Sequence, residues 1–272
     1  MNVENSDEKS GIPNEKLRKL SDYEIVTSKV LSWVAKDTRF KSRPSLDRIF
    51  SEHPRLVVVF SHSSPLSWIP APCLLTAHAA ARGGGSRRPI AVMDRFFYSI
   101  PILKQLATYI SQSAKPLSFE ELIQHFENLQ TVDLVVFPEG SNCFFGDPSE
   151  LQPFRSVRFI EIAVRTKTPL LLCVHRGSEE WGRTVSVPEA VLSLAGKFMS
   201  GRLFSSRRLT IPMLLKPMPH FQMLCELYEP ELQILPEDPV MGKAALQSEC
   251  EKIQAKMKAM LEEVDDDMAE LI

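Results

Sequence analysis

The sequence predicts an α/β protein, with a mixed, mostly parallel sheet flanked by helices, on three observations. The short runs "LVVVF" (56–60), "VDLVVF" (132–137) and "PLLLCV" (169–174) are apolar or nearly so throughout, which is how strands read when both faces are buried. Helical stretches separate them, and a strand, helix, strand rhythm is the signature of parallel βαβ units. The 272 residues, 44% hydrophobic and 24% charged, suffice for one sizeable core with additions rather than two full domains.

In chain order, residues 1–20 are polar and read as a disordered terminus without a signal segment, 21–35 as a helix and 38–54 as a charged connection. After "LVVVF" come a Pro-rich turn, "CLLTAHAAAR" (73–82), a Gly-rich turn, "PIAVM" (89–93) and a helical stretch near 100–110. The best-marked helix is "SFEELIQHFENL" (118–129). There Ser118 and Glu121 have capping-box spacing, and Phe119, Leu122, Ile123, Phe126 and Leu129 share one face. A further helix is expected over about 153–166, before "PLLLCV". The main domain is taken as 21–240, and 241–272 as a C-terminal helix with an acidic tail. In that helix Leu246, Cys250, Ile253, Met257, Met260 and Val264 alternate spacings of four and three. Such a stripe either docks on its own domain or meets a partner helix.

A net charge of −2 gives no hint of a nucleic-acid partner. Five cysteines, at 73, 143, 173, 225 and 250, lack CxxC spacing, so neither a metal site nor a disulfide scaffold is suggested, and a reducing, cytoplasmic setting is expected. No apolar run reaches the roughly 20 residues that a membrane span needs. Charge divides the second half: residues 176–216 hold seven basic and three acidic side chains, while beyond 225 thirteen acids face four lysines. The basic, apolar stretch 187–216 suits a surface that touches anionic lipid headgroups, or an ordinary solvated helix and loop.

Two strand ends stand out. In "FSHSSPLSWIP" (60–70) His62 lies just past the first buried strand, and in "VVFPEGSN" (135–142) Glu139 lies just past another. Ligands of open α/β sheets bind outside the carboxyl ends of strands, so both residues are candidates for one crevice. Gly140, which follows Glu139 at once, is free of backbone restriction.

These blocks resemble the glycerophospholipid and lysophospholipid acyltransferases, a family with a His-x-x-x-x-Asp block after one strand and a Phe-Pro-Glu-Gly block after another. The spacing of roughly 75 residues from His62 to Glu139 is also similar. The resemblance covers about 55–235, with "TPLLLCVHRG" (168–177) echoing a third block and "LCELYEP" (224–230) a late strand. It implies a glycerolipid acyltransferase-like fold, and transfer of a fatty acyl chain from acyl-CoA or acyl carrier protein to a lysolipid or other lipid hydroxyl. The implied partners are thus a lipid acceptor, an acyl donor and the inner face of a membrane, with no cofactor beyond the donor substrate. His62 would be the general base, and Pro138, Glu139, Gly140, Ser141 and Asn142 the acceptor-binding scaffold.

The chain departs from the pattern in three places. Ser67 stands where the family has the Asp that orients the His. A hydroxyl orients an imidazole but does not offset its positive charge, and loss of the carboxylate in a Ser-His-Asp arrangement costs about 10⁴ in rate. Asp94 is the candidate replacement carboxylate. Asn142 stands where relatives that bind a phosphate-bearing glycerol carry Arg, and one amide replaces a bidentate fork. For the family's second basic block only Lys115 is near the expected place, with Arg155, Arg158, Arg176 and Arg183 as other sources of charge. Cys143 lacks a nucleophile's surroundings, and no G-x-S-x-G elbow supports a Ser–His hydrolase. The altered dyad leaves two rivals: a catalytically impaired lipid-binding pseudoenzyme of the same fold, and a thioesterase-like hydrolase.

Overall fold

Strands that are apolar on both faces need a helical layer on each, and the sheet has both. The computed structural model describes residues 17–145, 147–186, 208–213 and 216–269. Its main sheet has six strands in the order β1-β8-β5-β2-β4-β3: β1 (Ala35–Arg43), β2 (Arg55–Phe60), β3 (Arg88–Ala91), β4 (Val132–Val136), β5 (Leu170–Arg176) and β8 (Met218–Tyr228). The neighbours β5, β2, β4 and β3 are mutually parallel, β8 pairs antiparallel with β5, and β1 pairs parallel with β8. The sheet is therefore mixed and mostly parallel, as the apolar runs foretold. A separate hairpin joins β6 (Gly182–Ser186) to β7 (Arg208–Pro212).

Alternate residues of each strand serve opposite layers. Val57 and Val59 of β2, with Leu170, Leu172 and Val174 of β5, lie under α6 (Phe119–Asn128), α7 (Arg158–Thr166) and α8 (Pro239–Ala269). Leu56, Val58 and Phe60, with Leu171 and Cys173, face α1 (Glu24–Val34), α2 (Leu46–Glu52) and α3 (Pro70–Ala79). Two short helices follow β3: α4 (Arg95–Ser99) and α5 (Pro101–Ser111).

The capping box of α6 is present: Ser118 Oγ accepts from Glu121 N at 3.2 Å, and Glu121 Oε2 accepts from Ser118 N at 2.7 Å. On its inner face Ile123 and Phe126 are buried, each contributing about 1.5–3 kcal/mol. The long helix α8 buries Leu246, Cys250, Ile253, Met257, Met260 and Val264 against its own domain, so the apolar stripe serves the core and not a partner helix.

Several boundaries differ from expectation. Residues 38–54 are not a connection: they hold most of β1 and all of α2. The strand was hidden because "AKDTRFKSR" buries only Ala35 fully. It lies at the sheet edge and is held by its ladder to β8, and such ladder bonds leave no mark on side-chain pattern. The helix expected from 153 begins at Arg158, since Pro153 and the residues after it run as a loop. Of the terminus expected to be disordered, residues 1–16 lie outside the described residues, whereas Leu17 and Leu20 are buried. Most of the basic stretch 187–216 also lies outside them.

Candidate active site

Because β2 and β4 are parallel neighbours, the segments that follow them emerge at the same sheet edge. After β4 the chain turns at once: Gly140 N donates to Phe137 O at 3.1 Å, and Asn142 N to Glu139 O at 3.0 Å. Gly140 has φ +51°, a left-handed conformation that costs other residues roughly 1–2 kcal/mol. The turn folds Glu139 inward, where it is fully buried and its Oε1 accepts from the His62 backbone N at 3.0 Å. A side chain from one strand end thus fixes the backbone at the other.

His62 is partly exposed as a residue, yet both ring nitrogens are shut off from solvent and neither has a hydrogen-bond partner. The ring leans on Phe137, with centroids 5.1 Å apart. Burial pulls the imidazole down to about 4, opposed by the nearby backbone of Pro65 and Gly140. Burial likewise pushes the Glu139 carboxyl up to about 8, opposed by the backbone N–H groups of Glu139 and His62. Both shifts favour the uncharged forms, a free-base imidazole and a protonated carboxyl. Oε1 accepts from the backbone, and the buried Oε2 has no partner. His62 and Glu139 line a narrow crevice, bounded also by Leu151, Arg176 and Leu261, that is too tight here to admit a water molecule.

The other expected residues are distributed differently. Ser67 is fully buried, and its Oγ donates to Ser64 O at 2.8 Å, so the hydroxyl is turned into its own loop and forms no hydrogen bond with His62. Asp94 does not replace the missing carboxylate: it caps α4 by accepting from Phe96 N at 2.9 Å and meets Arg155 at 3.7 Å. Lys115 lies away from the crevice, its Nζ 2.8 Å from Glu121 Oε1 at the start of α6. Asn142 donates its amide to Pro153 O at 2.8 Å, which pins the following loop instead of facing a ligand.

Of the four arginines considered, Arg155 reaches the turn. Its backbone N donates to Pro138 O at 2.8 Å, and its Nη1 to Ser141 Oγ at 3.1 Å. Arg176 is held by both oxygens of Asp265 from α8, at 2.6 and 2.7 Å. Arg158 lies over the Phe119 ring, and Arg183 is exposed on β6. The Cys143 thiol is buried and pushed well up by burial, which suits a packed side chain and not a nucleophile.

Sequence reasoning missed His175, which ends the third strand of the same edge and is fully buried. Its Nε2 lies 2.9 Å from Ser61 O and its Nδ1 3.3 Å from Ser178 Oγ. Ser178 Oγ in turn lies 2.7 Å from Ser63 Oγ, and Ser64 Oγ donates to Ser178 O at 2.9 Å. Burial draws the His175 imidazole down to about 3, so it stays neutral and donates from Nε2 to the Ser61 carbonyl. This chain braces both neighbours of His62. The signal for it was "CVHRG" (173–177), a histidine at a strand end like His62 itself. Among the described residues, no group of three His, Cys, Asp or Glu side chains is disposed to hold a metal ion.

The fold and these strand-end residues define the class: an open, mixed α/β sheet with a buried histidine and carboxyl at adjacent parallel strand ends. No family model and no curated protein matches the chain. Among solved structures it is similar to the 1-acyl-sn-glycerophosphate (LPA) acyltransferase PlsC from Thermotoga maritima, at 15% sequence identity and a TM-score of 0.51. The match covers 90% of this chain and 79% of that one. The two share a fold.

Proposed function

We propose that the protein is a lipid acyltransferase, moving a fatty acyl chain from a thioester donor, acyl-CoA or acyl carrier protein, to a lipid hydroxyl. The observation that carries this reading is the pairing of His62 with Glu139, a free neutral imidazole fixed through its own backbone by a buried carboxyl. A ring nitrogen of His62 takes the proton of the acceptor hydroxyl as its oxygen attacks the thioester carbonyl. The tetrahedral intermediate collapses to the ester, and the departing thiolate takes the proton back from the imidazolium. Glu139, buried beneath the turn, holds the His62 backbone in place for this step. Arg155, beside Ser141, supplies the cation that Asn142 and Lys115 do not.

The reading also has to account for Ser67. With its hydroxyl engaged by Ser64 O, no side chain among the described residues offsets the imidazolium charge, and burial already lowers the basicity of His62. Those two facts favour a slow enzyme, and they are also what a lipid-binding pseudoenzyme would show. Incubating the protein with a panel of lysolipids and radiolabelled acyl-CoA or acyl carrier protein separates the two. Transfer is expected from the wild type, with a loss of about 10²–10⁴ in His62→Ala. Wild-type transfer that equals His62→Ala would leave only the binding role.

A further inference from the structure

The helices α4 and α5 turn an apolar surface outward. Helix α4 has no buried residue, and α5 buries only Ala107 and Ser111. Phe96 is 59% exposed and Ile102 80%, with Ile100 and Leu106 exposed beside them. Ile102 and Leu106 stand four residues apart on one side of α5, and large apolar side chains exposed together mark an interaction site.

Charge identifies what that surface fits. Residues 95–119 contain Arg95, Lys104 and Lys115 and no acid, in a chain whose net charge is −2. Lys115 is taken up by Glu121, whereas Arg95 and Lys104 are exposed and meet no carboxylate among the described residues. Exposed apolar side chains on helices that also carry free cations complement an anionic bilayer, which offers a negative surface over a hydrocarbon interior. Position adds to this. Asp94, the cap of α4, meets the Arg155 side chain that also bonds Ser141, so the helix pair begins beside the turn that carries Glu139.

We propose that α4 and α5 form a docking surface for anionic lipid membranes, with Phe96, Ile100, Ile102 and Leu106 entering the headgroup–acyl boundary and Arg95 and Lys104 meeting lipid phosphates. The purpose of the docking rests on the acyltransferase reading, since it brings the strand-end crevice to lipid acceptors. The docking itself is tested separately from that reading.

The full chain is sedimented with equimolar phosphatidylcholine–phosphatidylglycerol vesicles and with pure phosphatidylcholine vesicles. Binding to the mixed vesicles is expected to be stronger by about tenfold or more and to weaken with salt. The double variant Phe96→Asp/Ile102→Asp loses that binding while keeping its far-ultraviolet circular dichroism and its Tm, because both side chains are exposed. Arg95→Gln/Lys104→Gln loses the preference for phosphatidylglycerol. In His62→Ala the binding stays, which separates docking from catalysis. Transfer to a short-chain lysolipid in free solution is unchanged in the apolar double variant, whereas transfer to the same headgroup in vesicles falls. Absence of wild-type binding, or equal binding by the apolar double variant, overturns the proposal. So does a wild-type dimer in analytical ultracentrifugation that dissociates in that variant without any vesicle binding, which would assign the face to a second copy of the chain. Vesicle binding by a wild type that transfers no acyl group upholds the docking and overturns the transferase reading alone.

Discussion

His62 and Glu139 are legible in the sequence as neighbours at one sheet edge, but not as hydrogen-bonded. Each follows an apolar run, and strand-end logic puts both at one sheet edge, but only the turn at Gly140 folds the carboxyl under the His62 backbone. Gly140→Ala is expected to lower stability by about 1–2 kcal/mol, measured by urea denaturation, because a Cβ must then accept φ +51°. Crowding would contribute little, since the added atom would meet Arg155 Cδ at an ordinary 3.6 Å. The acyltransferase proposed above would have an activity with two limbs in pH. His62, drawn down to about 4, is a free base above that value, and Glu139, pushed up to about 8, keeps its proton below it. A bell-shaped kcat/KM profile with limbs near those values is expected, and Glu139→Gln abolishes the alkaline limb. If that limb persists in Glu139→Gln, it belongs to another group. Ser67 illustrates what a motif position leaves open, because a hydroxyl has a nearby carbonyl to bond, and here Ser64 O takes it.

Among the elements, those with a strong local signal were read well and those supported by neighbours were not. Helix α6 declares itself through its cap and its apolar face, and β2, β4 and β5 through continuous apolar runs. Strand β1 carries charged residues along most of its length and exists because β8 offers a ladder. Helix α8 was ambiguous, since an apolar stripe reads the same whether it meets a sheet or another helix. Its packing on the sheet gives a stability expectation: Met257, fully buried at the centre of that stripe, should cost about 2–5 kcal/mol when changed to Ala. A chemical-denaturation midpoint moved by less than about 0.5 kcal/mol would mean that the helix is not docked in solution.

Over the whole molecule, stability follows pH through the same buried groups. The folded pKa values of His62 and His175, about 4 and about 3, lie below the ordinary 6.5. Their contribution is therefore fully present above pH 6.5 and is lost as pH falls through 4 and 3. Glu139 has the opposite sign: raised from 4.5 to about 8, it contributes fully below pH 4.5 and its contribution is lost as pH rises through 8. A stability maximum near neutrality is expected in a Tm series from pH 3 to 9, and His175→Asn should make the acid side shallower. An unchanged acid side would mean that His175 is solvated in the folded state. Among the described residues no helix is long and apolar enough to cross a membrane. The sequence by itself determined the strand interiors, the α6 cap and the two candidate strand ends, because these depend on side-chain chemistry and spacing along the chain. Only the tertiary structure decided the antiparallel setting of β8, the edge strand β1, the bond from His62 to Glu139 and the loss of Ser67 to its own loop. Each of these is a hydrogen bond whose alternatives are equally open to the chain until packing chooses among them.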